Sequence, residues 1–145
     1  MKSLSIAAAL LLCACSKAGE APEISVTDAW ARPTVAGQSA TAAYLTIANS
    51  GAGEDRLLSI AVPAPAMAMI HETTNDQGIA RMRPVEGGLA VAGRKTVTLA
   101  PGGAHVMIMG LQAPLKPGAT FPLTLRFERS GERKVEARVL APAER

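Results

Sequence analysis

Cysteine is nearly absent from this chain of 145 residues: there are two, Cys13 and Cys15, both within the first fifteen positions. Everything beyond them lacks a thiol, so the folded part can form neither a disulfide nor a thiolate metal site, and it has no cysteine nucleophile. Aromatic residues make up only 3%, which leaves a core of Val, Leu, Ile, Ala and Met anchored by Trp30, Tyr44, Phe121 and Phe127. Histidine is equally scarce, with two residues in all. The net charge of +3 is small and its charges are scattered. No basic stripe is interleaved with aromatics, which argues against nucleic acid as a partner.

What is present begins with Lys2 and the apolar run 4–12 (LSIAAALLL), which has the length of an export signal and is too short to span a bilayer as a helix. Leu12-Cys13-Ala14-Cys15-Ser16 follows, and it resembles the lipobox of bacterial lipoproteins: an aliphatic residue three before the acylated Cys and a small residue just before it. The expectation is a signal peptide over 1–14 and lipidation at Cys15. Residues 15–22 then form the lipidated start and a polar linker (SKAGEAP after the Cys), and a domain over 23–145 is held at a membrane facing the periplasm. The alternative is an ordinary signal peptide cut between Ala14 and Ala21, leaving a soluble periplasmic protein.

The mature length and a hydrophobic content of 48% suit one domain with a real core. Period-two alternation or β-branched enrichment marks nine stretches: 24–26, 43–47, 56–62, 68–73, 79–85, 95–99, 105–111, 121–128 and 134–140. Turn residues separate them, among them Asn75-Asp76-Gln77-Gly78, Glu86-Gly87-Gly88, Pro101-Gly102-Gly103 and Ser130-Gly131, the last reading as a hairpin. The Ala-rich segment 61–68 is broken by Pro63 and Pro65. An all-β domain of eight or nine strands, sandwich or Greek-key barrel, is predicted.

Both histidines sit in strands beside methionine. His71 follows Met67 and Met69, and His105 precedes Met107 and Met109. Residues two apart in a strand share a face, so His105 and Met107 can offer an imidazole nitrogen and a thioether sulfur to one point. Met82 lies eleven positions after His71, beyond the turn at 75–78, where a hairpin brings the chain back. Thioether sulfur is soft and uncharged, a poor ligand for zinc or calcium and a good one for copper(I), which imidazole also binds. Zinc favours Cys or more His, calcium needs a carboxylate loop, and a blue-copper centre needs a thiolate. His71, Met82, His105 and Met107 are therefore the candidate copper(I) ligands, with Met69 and Met109 expected to pack beneath them. Methionine is also an ordinary core filler, and it is the recurrence of His and Met two residues apart, at both histidines, that favours ligation.

With that constellation the sequence resembles the periplasmic copper chaperone family called PCu(A)C, whose motif is a His, ten residues, a Met, about twenty-one residues, then His-x-Met. His71, ten intervening residues and Met82 match; the second interval, 83–104, holds twenty-two; His105-Val106-Met107 completes it. The likeness extends to Asp28-Ala29-Trp30-Ala31-Arg32-Pro33, Ala43-Tyr44-Leu45 with Asn49, His71-Glu72, the run 105–111, Leu115-Lys116 and Phe121-Pro122-Leu123-Thr124-Leu125. The resemblance implies a cupredoxin-like β-barrel that binds copper(I) and passes it to copper-accepting proteins such as cytochrome c oxidase subunits, alongside Sco-type thiol proteins in some cases. Two departures are Glu72, where some relatives have a Met after the first His, and the ending Ala141-Pro142-Ala143-Glu144-Arg145, where some carry a His/Met-rich tail.

Other readings are a lipoprotein for copper storage or tolerance and a metal-free β-sandwich lipoprotein. Catalysis is not expected: both histidines stand beside methionine, and Asp28, Glu72 and Asp76 read as solvated acids at turns and strand ends. A monomer is expected.

Overall fold

The computed structural model describes residues 19–144, so the expected signal peptide over 1–14 and the expected lipidation at Cys15 lie outside the described residues. Ten strands form: β1 (Ile24–Ala31), β2 (Ala40–Asn49), β3 (Asp55–Ala61), β4 (Met67–Asp76), β5 (Ile79–Pro84), β6 (Leu89–Val91), β7 (Thr96–Leu99), β8 (Ala104–Met109), β9 (Thr120–Phe127) and β10 (Gly131–Val139). A short 3₁₀ turn, Pro142–Glu144, follows. The all-β expectation holds. The extra strand is β6, whose three residues are too few to show a period.

The strands run in the order β5-β4-β8-β2-β1-β10-β9-β3-β6, with β7 also paired to β2. The sheet does not close by hydrogen bonds, but it coils until β3 packs against β4. Alternation explains which face turns inward. On β8, Val106 and Ile108 are fully buried, and on β2 so are Ala43 and Ile47; Leu123 and Leu125 of β9 complete the same core. Full burial of one such aliphatic side chain is worth about 1.5–3 kcal/mol, so this core fixes the register of every strand in it. The opposite face of β8 is left to His105, Met107 and Met109.

Two polar clamps tie loops to the sheet. Asn49, buried at the end of β2, accepts from the N–H groups of Glu23 and Gly51 and donates to the carbonyl of Gly53 at 2.7 Å. Asp55 accepts from the N–H groups of Arg56, Arg129 and Ser130 at 2.8–2.9 Å, joining the start of β3 to the β9–β10 turn. Part of the linker expected over 16–22 is also tied down, because the Glu20 carbonyl accepts from the Arg129 guanidinium and the Ala21 carbonyl from the Gly53 N–H. The predicted hairpin at Ser130-Gly131 forms, with Gly131 opposite Phe127 at φ 73°.

Candidate metal centre

Strands β4 and β8 pair antiparallel in a register that sets His71 opposite His105, Met69 opposite Met107 and Met67 opposite Met109. All six lie on the sheet face turned away from the core, by alternation with Ile70, Val106 and Ile108. The two imidazole rings have centroids 6.0 Å apart and meet nearly at right angles, 85°. Metal–nitrogen bonds of about 2.0–2.1 Å, added to a ring radius of roughly 1.1 Å, allow two rings sharing one ion to have centres up to about 6.4 Å apart. The observed spacing fits a shared ion.

The loop 100–103 between β7 and β8 shapes the site. Gly102, at φ 84°, lets the chain turn sharply, and the Gly103 carbonyl then accepts the Thr73 N–H at 3.2 Å while lying 3.1 Å from His105 Nδ1. A carbonyl only accepts, so His105 Nδ1 carries the proton and Nε2 keeps its lone pair for a ligand. His71 differs: its Nδ1 is buried and has no hydrogen-bond partner among the described residues. An orphaned imidazole nitrogen costs stability unless something binds it, and beside His105 a metal ion would.

The β4–β5 hairpin turns more tightly than the stretch 75–78 suggests. Only Gln77 and Gly78 form the loop, both at positive φ (50° and 85°), with Asp76 opposite Ile79. Met82 therefore faces Thr73, while Pro84 faces His71. Met82 is one step along the same face from His71 and 58% exposed on an edge strand. Met82, His105 and Met107 line a single open hollow of about 470 Å³, closed elsewhere by Tyr44, Arg32, Thr41 and the 101–102 loop. His71 stands at its border through its ring contact with His105.

The four sequence-predicted ligands are thus brought to one face. Met69 is placed differently from expectation: it is 42% exposed opposite Met107 and borders the cleft toward β3, instead of packing beneath the site. Met67 was not singled out as a candidate, although its two-residue spacing from Met69 was a sufficient signal. Tyr44, Trp30 and Arg32 were also missed as neighbours of the site. The Tyr44 ring lies 6.4 Å from His105 and 4.4 Å from Trp30, with the Arg32 guanidinium 5.7 Å above it. That aromatic and cationic wall helps bury His105 to 5% exposure.

Among the described residues no carboxylate lines the hollow and no group of three or more His, Cys, Asp or Glu is placed to hold a metal. The donors on offer are two neutral nitrogens and thioether sulfurs, a set that suits a soft monovalent ion and disfavours calcium, magnesium or structural zinc.

Residues 24–139 match the family model described as "Putative lipoprotein LpqE-like". The fold superposes on the copper-bound PCuAC domain from PmoF2 with a TM-score of 0.68 and 26% identity, over 82% of this chain and 93% of that one. The chain belongs to the PCu(A)C family. The solution structure of CuI-DR1885 from Deinococcus radiodurans is also similar, at TM-score 0.61 and 34% identity, over 81% of this chain and 79% of that one. These PCu(A)C neighbours share the cupredoxin-like β fold expected from the sequence. Among sequence relatives, "Putative lipoprotein Lxx21020" of Leifsonia xyli subsp. xyli is 35% identical over 74% of the chain. The chain spans 64% of that protein and 62% of a second curated relative.

Proposed function

We propose that this PCu(A)C protein is an exported copper(I) carrier, with copper(I) as its cargo, held by His71, His105 through Nε2, Met82 and Met107. The observation that carries the reading is the direct cross-strand pairing of His71 with His105, with Met107 and Met82 on the same face. The copper-bound PmoF2 domain and CuI-DR1885, which share its fold, support the choice of metal. The name of the Leifsonia relative and the family description support export as a lipoprotein; lipidation at Cys15 and a periplasmic location are part of the proposal and rest on the lipobox-like run 12–16.

Handing the ion on follows from the ligand chemistry. Neutral imidazole and thioether donors leave copper(I) its full positive charge, whereas a thiolate neutralises it and holds it harder. The exposed Met82 sulfur is the donor that an incoming ligand displaces first, while buried His105 keeps its grip until the new bond has formed. Recipients with thiols or more nitrogen donors draw the metal forward; cytochrome c oxidase subunits, with Sco-type thiol proteins, are the proposed acceptors. The role is delivery, not catalysis.

Competition between the purified protein and a copper(I) chelator tests binding: one tightly held ion per chain is expected, and no stoichiometric binding contradicts the reading. Deleting the gene and measuring oxidase activity tests delivery. Loss that added copper rescues supports supply, whereas copper toxicity with normal oxidase supports tolerance or storage.

A further inference from the structure

Three further methionines on β4 and β8, outside the four-ligand set, do not behave as packing. A thioether recruited to fill a core is buried, yet Met67 is 64% and Met69 42% exposed, and Met109 is only partly covered. They are not dispersed either. Met67 is directly opposite Met109, Met69 is two residues along the same strand from Met67, and Met109 is diagonal to Met69 across the β4–β8 ladder. Directly opposed side chains on a sheet have Cβ atoms about 4.5–5.5 Å apart and diagonal ones roughly 7–8 Å, both within reach of long side chains. Three flexible thioethers on one exposed face can therefore converge on one point, and β5 ends at Pro84, opposite His71, so that strand does not flank Met67 and Met69.

We propose that Met67, Met69 and Met109 form a second, all-thioether site for a soft monovalent cation, copper(I), adjoining the histidine site through the Met69–Met107 pair. With three neutral sulfurs and no nitrogen, the site selects soft ions and holds them more weakly than the histidine site. It serves as a landing position. An ion captured at Met67 and Met109 moves one step along the β4–β8 ladder to Met69 and Met107 and a second to His71 and His105, exchanging one donor at a time without a change of charge or oxidation state. The proposal rests on the copper(I) reading of this face, but it concerns residues that the four-ligand set does not use.

The test is a copper(I) titration of the full chain under reducing conditions, carrying ¹³C-methyl methionine and followed by NMR through two equivalents. The first equivalent is expected to move the Met82 and Met107 methyl signals, and the second those of Met67, Met69 and Met109. Met67→Leu combined with Met69→Leu, nearly volume-conserving on an exposed face, is expected to abolish the second step and leave the first within about twofold. If Met67 and Met69 methyls stay unmoved through two equivalents while the first ion binds, the second site is overturned and the histidine site stands. Movement of these methyls while those of Met82 and Met107 stay unmoved supports the thioether site and overturns the four-ligand reading. No perturbation anywhere overturns both.

Discussion

His71 and His105 face each other across the β4–β8 ladder, yet their rings are held differently: His105 Nδ1 is engaged by the Gly103 carbonyl, whereas His71 Nδ1 is buried with no partner among the described residues. One ring is oriented in advance and the other waits for a ligand. In the metal-free protein His105 is expected to be the Nδ1–H tautomer, visible by ¹⁵N NMR, and copper(I) is expected to shift its Nε2 while leaving the Nδ1 proton in place. Loss of the His105 Nδ1 proton on copper(I) binding would contradict the assignment.

Replacing either histidine by Ala is expected to cost more affinity than the roughly 10–100-fold typical of losing an outer-shell partner. Competition titration against a copper(I) chelator measures this. Equal affinity in the His71→Ala protein and the parent would remove His71 from the ligand set.

Methionine variants separate ligation from packing. Met82→Leu, on an exposed edge strand, is expected to leave stability within about 0.5 kcal/mol while markedly weakening copper(I) binding. Met109→Leu is expected to leave the affinity of the tighter site nearly unchanged. Denaturant unfolding and chelator competition on the same samples distinguish the two, and the opposite pattern would show that the sulfur had been chosen wrongly.

Much of this site was legible in the chain because strand alternation is local: His105-Val106-Met107 declares its outward face without reference to anything else. Cross-strand register is not local. That His71 meets His105 depends on pairing two segments more than thirty residues apart, which the burial of Ile70, Val106 and Ile108 determines. Met82 returns on the strand after the turn, as expected, but its register was not legible: Asn75 and Asp76 look like turn residues and instead continue β4, leaving Gln77 and Gly78 to make the turn and Met82 opposite Thr73. Met69 shows the limit of pattern reading: alternation gives its face, whereas its exposure depends on where β5 stops pairing with β4.

Asp55 provides a pH-dependent check on the fold independent of metal. Burial alone would push its carboxyl up, but the Ser130 hydroxyl beside it and the N–H groups of Arg129, Arg56 and Ser130 outweigh this and hold it below its ordinary value of 3.8. A carboxylate with a depressed folded pKa contributes stability at higher pH that is lost as pH falls through the unfolded and then the folded value. Asp55→Asn is expected to cost about 1–3 kcal/mol at neutral pH, a difference that shrinks below roughly pH 4, while copper(I) affinity stays unchanged. Urea unfolding at several pH values measures it, and a pH-independent difference would contradict the account.

Asn49 is the corresponding neutral clamp. Asn49→Ala strands the Glu23 and Gly51 N–H groups and the Gly53 carbonyl, and is expected to cost on the order of 1–3 kcal/mol. Thermal unfolding measures the loss, and an unchanged midpoint would contradict the clamp.

X-ray absorption at the copper K-edge of the protein loaded with one equivalent of copper(I) reads the two-histidine, two-methionine ligand set itself. A copper(I) edge is expected, with a first shell fitted by two nitrogen and two sulfur scatterers and both nitrogens from imidazole. A shell without sulfur, or one requiring three or more nitrogen or oxygen donors, would contradict it.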